Sequence, residues 1–263
     1  MIFDTHAHYL DRRFDEDREE LIASLKENGV AHVTEVSADA GDFDRIIEHI
    51  EKYPQFYGTL GVHPSEVAEL TESDMNKIKA LSTHERIVAI GEIGLDYHFD
   101  DDPEPEVQKK WFIRQLEIAR ELNLPIIVHS RDAAKETYDI LLEYHRGKDK
   151  EPLSGFAGGV IHCFSYSPEM AMEFIKLGYY IGLDGPVTFK NAKASKAVAA
   201  IVPEDKLVVE TDSPYMAPDP LRGTRNSSEN LKYIIAKIAE IRDKSYEEME
   251  EILYNNAKAL YNL

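Results

Sequence analysis

The sequence predicts an α/β protein built as one (β/α)8 TIM barrel. Short apolar runs alternate with longer amphipathic, charge-rich segments, which is the pattern that a parallel sheet covered by helices requires. Eight such pairs fit within 263 residues, a length at which α/β barrels commonly form one domain. Because no linker, internal repeat or low-complexity tract interrupts the pairs, we expect a single domain over residues 1–263.

The apolar runs are the predicted strands of this barrel. In chain order they are Met1–His8, Val30–Val36, Phe56–Val62, Ile87–Gly91, Pro125–His129, Gly159–Cys163, Tyr179–Leu183 and Leu207–Thr211.

Helices are predicted between and after the strands. Val107–Leu122 carries an apolar stripe among charged residues, which predicts a helix that covers the sheet. Beyond the last strand, the prolines of segment 214–220 exclude a continuous helix. A helical pattern then resumes in Leu231–Ile241 and again in Tyr246–Tyr261.

The charge balance limits the partners that the surface can attract. The chain has 49 acidic and 30 basic residues, a formal net charge of −19. Such a surface repels a polyanion at long range, so a phosphate substrate would need cations supplied locally.

The composition also bears on location. The one cysteine, Cys163, excludes an internal disulfide and is compatible with a reducing compartment. The amino-terminal segment lacks the basic start and apolar run of a secretory signal, and no run approaches the roughly 20 apolar residues of a membrane helix. We therefore expect a cytoplasmic protein without a membrane span.

Histidines follow the apolar runs at the carboxyl ends of predicted strands, where β/α barrels build active sites. Strand one ends in His6 and His8, which point to the same side because side chains alternate along a strand. Strand five ends in His129 and strand six in His162. A single such histidine is more often a hydrogen-bonded cap than a ligand, but four from three strands converge on one rim, which favours a metal site.

Carboxylates occur at the same end. Glu92 follows an apolar run where an unpaired charge would be costly, so it either forms a structural salt bridge or bridges two cations. On strand eight, Glu210 and Asp212 share one face, and Asp212, nearer the mouth, is the better ligand. Glu210 and Asp4 would orient metal-bound histidines from behind or form internal salt bridges.

Four imidazoles and two carboxylates are enough to hold two divalent cations. This mixture favours zinc, manganese, nickel or iron over calcium, and magnesium is a further candidate. The six predicted ligands are His6, His8, Glu92, His129, His162 and Asp212.

These motifs belong to a longer ordered set, and with it the chain resembles the TatD family of metal-dependent deoxyribonucleases, within the amidohydrolase-like barrels. The resemblance spans nearly the whole chain. Its further segments are Gly61–Pro64, Gly91–Tyr97, Pro125–Arg131, His162–Ser165, Gly185–Lys193 and Glu210–Pro214.

The resemblance implies how the ligands divide, with Glu92 as the bridge. One cation would be held by His6, His8, Glu92 and Asp212, and the second by Glu92, His129 and His162.

It also implies residues that contact the substrate. His63 would bind a phosphate oxygen or a metal-bound water, with Asp96 and Arg131 as neighbours that could equally form an ion pair. Arg222 and Arg225 would contact phosphate or neutralise an acidic rim.

The chain departs from the family pattern near the presumed mouth. Thr224 replaces a lysine, Ser227 and Ser228 replace Glu-Pro, and Tyr166 replaces a glycine. These changes spare the predicted ligands and bear on substrate preference.

The expected reaction is hydrolysis of DNA phosphodiester bonds by a water activated by two metals, with Asp212, Glu92 and His63 as catalytic residues. Short or single-stranded DNA is the expected partner, and no obligate protein partner is evident. Two alternatives stay open: hydrolysis of another ester or amide, such as an aminoacyl-tRNA ester or a lactone, and a non-catalytic metal-binding scaffold in DNA repair or degradation.

Overall fold

A computed structural model describes residues 1–146 and 158–263, and in these ranges eight parallel strands form one sheet. The strands pair in the order of the sequence, from β1 to β8. A bridge between Ala7 and Ser213 joins the first and last strand regions. The result is the nearly closed TIM barrel that the alternation of apolar and amphipathic segments predicts.

The strands are short at most positions and longest at β4. Their bounds are β1 Ile2–Ala7, β2 Val30–Val36, β3 Phe56–Leu60, β4 Ile87–Asp96, β5 Ile126–Arg131, β6 Gly159–Ile161, β7 Tyr180–Leu183 and β8 Leu207–Val209. The helices are α1 Arg18–Leu25, α2 Phe43–Lys52, α3 Glu72–Leu81, α4 Pro105–Leu122, α5 Ala134–Arg146, α6 Pro168–Lys176, α7 Lys193–Ile201, α8 Leu231–Arg242 and α9 Tyr246–Leu260. No helix in the described ranges is both long and apolar enough to cross a bilayer.

Strand β4 corrects the predicted boundary at Gly91. The strand continues to Asp96 because its last four residues pair in register with Val128–Arg131 of β5. Glu92 therefore lies within a buried strand rather than at its end. The pairing shifts register between Ile90 and Ile93, so the backbone is irregular at the carboxylate itself.

The amino end of the barrel is closed by apolar side chains. Residues from six strands form an apolar cluster with Ala257, Leu260 and Tyr261 of the C-terminal segment. The hydroxyl of Tyr261 donates to the carbonyl of Thr5 at 2.7 Å, which fixes the helix against the barrel. We call this group the floor cluster; its strand residues are Phe3, Val36, Val88, Ala89, Ile127, Val160 and Val208. Closure at this end leaves the carboxyl end for polar groups.

Candidate metal centre

The six predicted ligands come together at the carboxyl end of the barrel. The Nε2 atoms of His6 and His8 are 3.0 Å apart. Oδ1 of Asp212 lies 3.7 Å from Nε2 of His6 and 3.5 Å from Nε2 of His8. These three side chains form one group of donor atoms close enough to share an ion.

Glu92 lies between two sets of histidines, and each carboxylate oxygen faces a different set. Oε2 is 3.4 Å from Nε2 of His6 and 3.9 Å from Nε2 of His8. Oε1 is 2.6 Å from Nε2 of His162 and 2.9 Å from Nδ1 of His129. A carboxylate placed in this way has the arrangement needed to bridge two cations.

Backbone bonds between the first and last strand regions position the ligands. The amide of Asp212 donates to the carbonyl of His6 at 3.0 Å, and the amide of His8 donates to the carbonyl of Ser213 at 2.8 Å. Asp212 has φ of 53°, in the left-handed region that aspartate enters more readily than most residues. Its side chain thereby faces the two histidines of β1.

Two of the rings direct a free nitrogen toward the carboxylates. Nδ1 of His8 lies 2.9 Å from the carbonyl of Val36, which can only accept, so the lone pair of the neutral ring is on Nε2. Nε2 of His129 lies 3.0 Å from Oδ2 of Asp96, which leaves Nδ1 to face Glu92. Metal-bound histidines are normally held this way by their second nitrogen, so the donor set fits divalent cations.

The donor atoms also form groups that differ from the expected division. His6, Glu92 and His162 form one group, and the rings of His6 and His162 stack with centroids 4.1 Å apart. Another group joins His129 to His63 and Asp96.

Asp4 has a different role from the one that the sequence suggests. Its carboxylate accepts bonds from the backbone amide of His6, from both the amide and hydroxyl of Thr211, and from the hydroxyl of Ser228 at 2.6 Å. Among the described residues these partners are backbone amides and hydroxyl groups, not histidine rings or cations, so the structure supports neither expected role. Asp4 instead fastens β1 to the segment after β8, and Ser228, one of the departures from the family pattern, contributes to that contact.

Glu210 lies near a predicted ligand, as expected for a carboxylate that orients a metal-bound histidine. Its Oε1 accepts a bond from the amide of Cys163 and lies 3.6 Å from Nδ1 of His162. The geometry brings this carboxylate behind the ring, slightly beyond direct hydrogen-bond range.

Charges in the cluster are strongly coupled. Burial alone would raise the pKa of Glu92, but His162 and His6 outweigh it and lower the pKa well below its usual value. Burial opposes protonation of His162, yet Glu92 and Glu210 raise its pKa well above the ordinary range. Without a metal, the cluster therefore keeps an ionised carboxylate beside a protonated imidazole.

His63 lies at the edge of the cluster as a neutral ring. Burial, followed by the influence of His129, lowers its pKa to about 3. Nδ1 accepts a bond from the amide of Ser65 at 3.2 Å, so the ring proton is on Nε2. That atom lies 3.9 Å from Oε1 of Glu92.

Of the further residues expected to contact substrate, some line the cleft over the cluster and others lie outside it. Asp96 and Arg131 both line the cleft over the cluster, but Asp96 bonds to His129 and not to Arg131. Arg222 does not line this cleft, and its guanidinium lies 4.4 Å from the ring centroid of Phe189. Arg225 forms an ion pair with Asp17, with Nη2 2.5 Å from Oδ2, which accords with a neutralising role.

Glu35 is a site residue to which the sequence analysis assigned no role. It is fully buried, and its carboxylate accepts from the amides of Tyr9 at 3.1 Å and Leu10 at 2.9 Å. Burial raises its pKa to about 8. Glu35 thus holds the segment directly after His8. In the sequence, the feature that could have pointed to it is an acidic residue within the largely apolar strand β2.

The barrel and its cluster of histidines and carboxylates define the class as metal-dependent hydrolases of the β/α-barrel type. The family described as TatD related DNase matches residues 3–262. The chain belongs to this family.

Individual relatives agree with that assignment. An uncharacterized metal-dependent hydrolase, YabD of Bacillus subtilis, is 43% identical over 263 residues, covering 100% of both chains. YjjV of Escherichia coli, with the same description, is 33% identical over 99% of this chain and 97% of its own. The crystal structure of YjjV, a TatD homologue, superposes with a TM-score of 0.90 at 31% identity, covering 100% of this chain and 98% of that chain.

Proposed function

We propose that this hydrolase cleaves phosphodiester bonds of DNA with two divalent cations, and that one domain of residues 1–263 carries the activity. The observation that supports the proposal best is the position of Glu92. Its Oε2 faces His6 and its Oε1 faces His162 and His129, so one carboxylate can serve two ions. The family name, TatD related DNase, supports DNA as the substrate.

The proposed ligands divide between two cations bridged by Glu92. His6, His8 and Asp212 would hold one, and His129 and His162 the other. Bound divalent cations would neutralise phosphate charge and make a water more acidic. Zinc, manganese, nickel, iron and magnesium remain candidates, since imidazole and carboxylate donors accommodate each of them.

Asp212 is the proposed acceptor of the proton that the attacking water loses. Burial would raise its pKa, but the bond with His8 and the charges of His6 and His8 lower it below the usual value. The carboxylate is therefore ionised near neutral pH and lines the cleft, as a general base must do to meet a water bound there.

His63 is the proposed donor to a phosphate oxygen. Its Nδ1 is occupied by Ser65, and its Nε2 proton faces the cluster. A neutral ring can donate this hydrogen bond without adding a charge. Arg131, a cleft-lining cation on the same side of the barrel as His129, would contact a neighbouring phosphate.

Short or single-stranded DNA is the proposed substrate form. A net charge of −19 leaves few protein cations for a long duplex, whereas two divalent cations add positive charge where the scissile phosphate lies. A cytoplasmic location also belongs to the proposal, because a single thiol is compatible with a reducing compartment.

The test is reconstitution of metal-free protein with each candidate cation, followed by cleavage of end-labelled single-stranded DNA. Glu92→Ala should lower cleavage by at least about 10²–10³-fold, the loss typical when one group that stabilises the transition state is removed. Metal content, measured by elemental analysis, should fall from two ions per chain. Ser65→Ala, beside the cluster but outside the ligand set, is the matched control for metal content.

Two results would contradict the proposal. Unchanged cleavage by Glu92→Ala would assign the activity to another site or a contaminant. Efficient hydrolysis of a lactone or an aminoacyl ester by a loaded enzyme that leaves DNA intact would favour the carbonyl-ester alternative.

A further inference from the structure

We propose that Phe99 and Tyr215 form an aromatic clamp that stacks bases of a single-stranded nucleic acid on either side of the metal cluster. The inference rests on the proposed function, because it explains how the same cleft would hold a polynucleotide. The exposed fractions of Phe99 and Tyr215 are 53% and 45%, high for large apolar side chains. Both rings line the cleft that contains His8 and Glu92.

The two rings lie on opposite sides of the cleft. Phe99 follows β4 and Tyr215 follows β8. The strands are arranged in sequence order around a nearly closed ring of eight, so β4 and β8 are diametrically opposed. A strand that crosses the cleft over Glu92 would pass one ring before the cluster and one after it.

Each ring is held in place by its neighbours. The guanidinium of Arg13 lies 3.9 Å from the centroid of Tyr215, whose hydroxyl donates to Asp11 at 3.4 Å. Phe99 meets the ring of His98 edge-on, with centroids 4.7 Å apart. A ring that is already ordered loses little conformational entropy when a base stacks on it.

Phe99 is also accompanied by a cation for which the described part of the chain supplies no ion pair. The guanidinium of Arg131 lies 5.0 Å from the Phe99 centroid. It lines the cleft and makes no ion pair within residues 1–146 and 158–263. In a chain with 49 acidic residues, an arginine that forms no ion pair with the described residues, next to an exposed ring, offers a site for a phosphate beside a base.

Stacking resolves the conflict between this acidic chain and a polyanionic ligand. Base–aromatic contacts contribute to affinity without requiring protein cations, and they accept any base because every base has a π face. In a duplex those faces are covered by neighbouring bases. The clamp therefore selects single strands and frayed ends over paired DNA.

Binding to two matched oligonucleotides tests the clamp independently of catalysis. The probes are an octathymidylate with phosphorothioate linkages, which resists hydrolysis, and an abasic octamer with the same linkages and charge. Metal-loaded wild type should bind the thymidine strand at least about tenfold more tightly, as expected when one or two bases stack. In Phe99→Ala with Tyr215→Ala this ratio should fall to within about twofold.

Further substitutions distinguish the loss of base stacking from an unspecific effect of removing an exposed side chain. Phe99→Trp and Tyr215→Trp should retain the preference for bases. Ile201→Ala removes a similarly exposed apolar side chain, 48% exposed on α7, and should leave the ratio unchanged. Arg131→Gln should weaken the binding of both octamers. It should also reduce the salt dependence of binding by the equivalent of about one phosphate contact.

Equal binding of the two octamers by wild type, or an unchanged ratio in the double alanine variant, would overturn the clamp. Failure of the proposed function gives a different result. In that case the loaded wild type would leave both DNA and bis(p-nitrophenyl) phosphate intact while still preferring the strand with bases.

Discussion

The two ends of the barrel solve opposite physical problems with the same strands. At the amino end, Phe3 and Ile127 belong to the floor cluster, where burial of apolar surface stabilises the fold. At the carboxyl end, His6 and Glu92 are also buried, but they are polar. Their burial is tolerated because each has a charged or hydrogen-bonding neighbour. Apolar burial at the amino end thus stabilises the fold, and this stability offsets the cost of gathering buried ionisable groups at the carboxyl end.

The largest effect should come from the floor cluster. Phe3→Ala removes a ring that is 2% exposed, and such a substitution costs about 3–5 kcal/mol of unfolding free energy. Urea denaturation of the metal-free protein measures it. Metal content should remain that of wild type if the two ends are independent; loss of both stability and metal would show that they are coupled.

Asp96→Asn should weaken the metal centre without comparable loss of stability. Asp96 accepts from Nε2 of His129 at 3.0 Å, and loss of such a partner typically reduces metal affinity about 10–100-fold. Competition with a chelator measures the affinity. Asp102→Asn removes another cleft carboxylate, whose Oδ2 has no hydrogen-bond partner among the described residues; an equal loss there would mean that general charge, not ring orientation, is responsible.

Metal affinity should rise with pH. Burial alone would lower the pKa of His8, but Asp212 and Glu92 raise it to about 9. Below that value the ring is protonated in the metal-free protein, so a cation must displace the proton, and the apparent affinity should increase up to about tenfold per pH unit. Calorimetry in buffers of different ionisation enthalpy would detect the released protons. A flat profile between about pH 6 and 9 would contradict the assignment.

The smallest effect should come from an exposed ion pair in the loops that follow β1 and β8. Arg225→Gln breaks an exposed ion pair with Asp17, and such pairs contribute about 0.2–1 kcal/mol. Unfolding free energy should change within that range, and DNA cleavage should be unaffected. A large loss of cleavage would give Arg225 a direct contact with substrate.

Residue types and their alternation were enough to predict the barrel and the residues gathered at its carboxyl end. Apolar runs specify strands, and polar residues that end such runs converge because all eight strands are parallel. His6, His129 and His162 could therefore be placed near one another from the sequence. Their roles as ligands remain predictions that reconstitution would test.

Details that depend on long-range contacts could not be predicted. The register shift around Glu92 and the extension of β4 to Asp96 follow from pairing with β5, which no local pattern encodes. Asp4 was misassigned because its partners, Thr211 and Ser228, are more than two hundred residues away. Glu35 lacked a role because its hydrogen bonds come from the backbone amides of Tyr9 and Leu10, and the type of a residue does not reveal where its backbone amide will bond.

The bond between the amide of Asp212 and the carbonyl of His6 gives the site an order of assembly. During synthesis, His6 and His8 leave the ribosome before Asp212, which follows the eighth strand. A nascent chain thus holds an incomplete set of ligands for most of its translation. The proposed ligand set is therefore complete only once the segment after the last strand has been made.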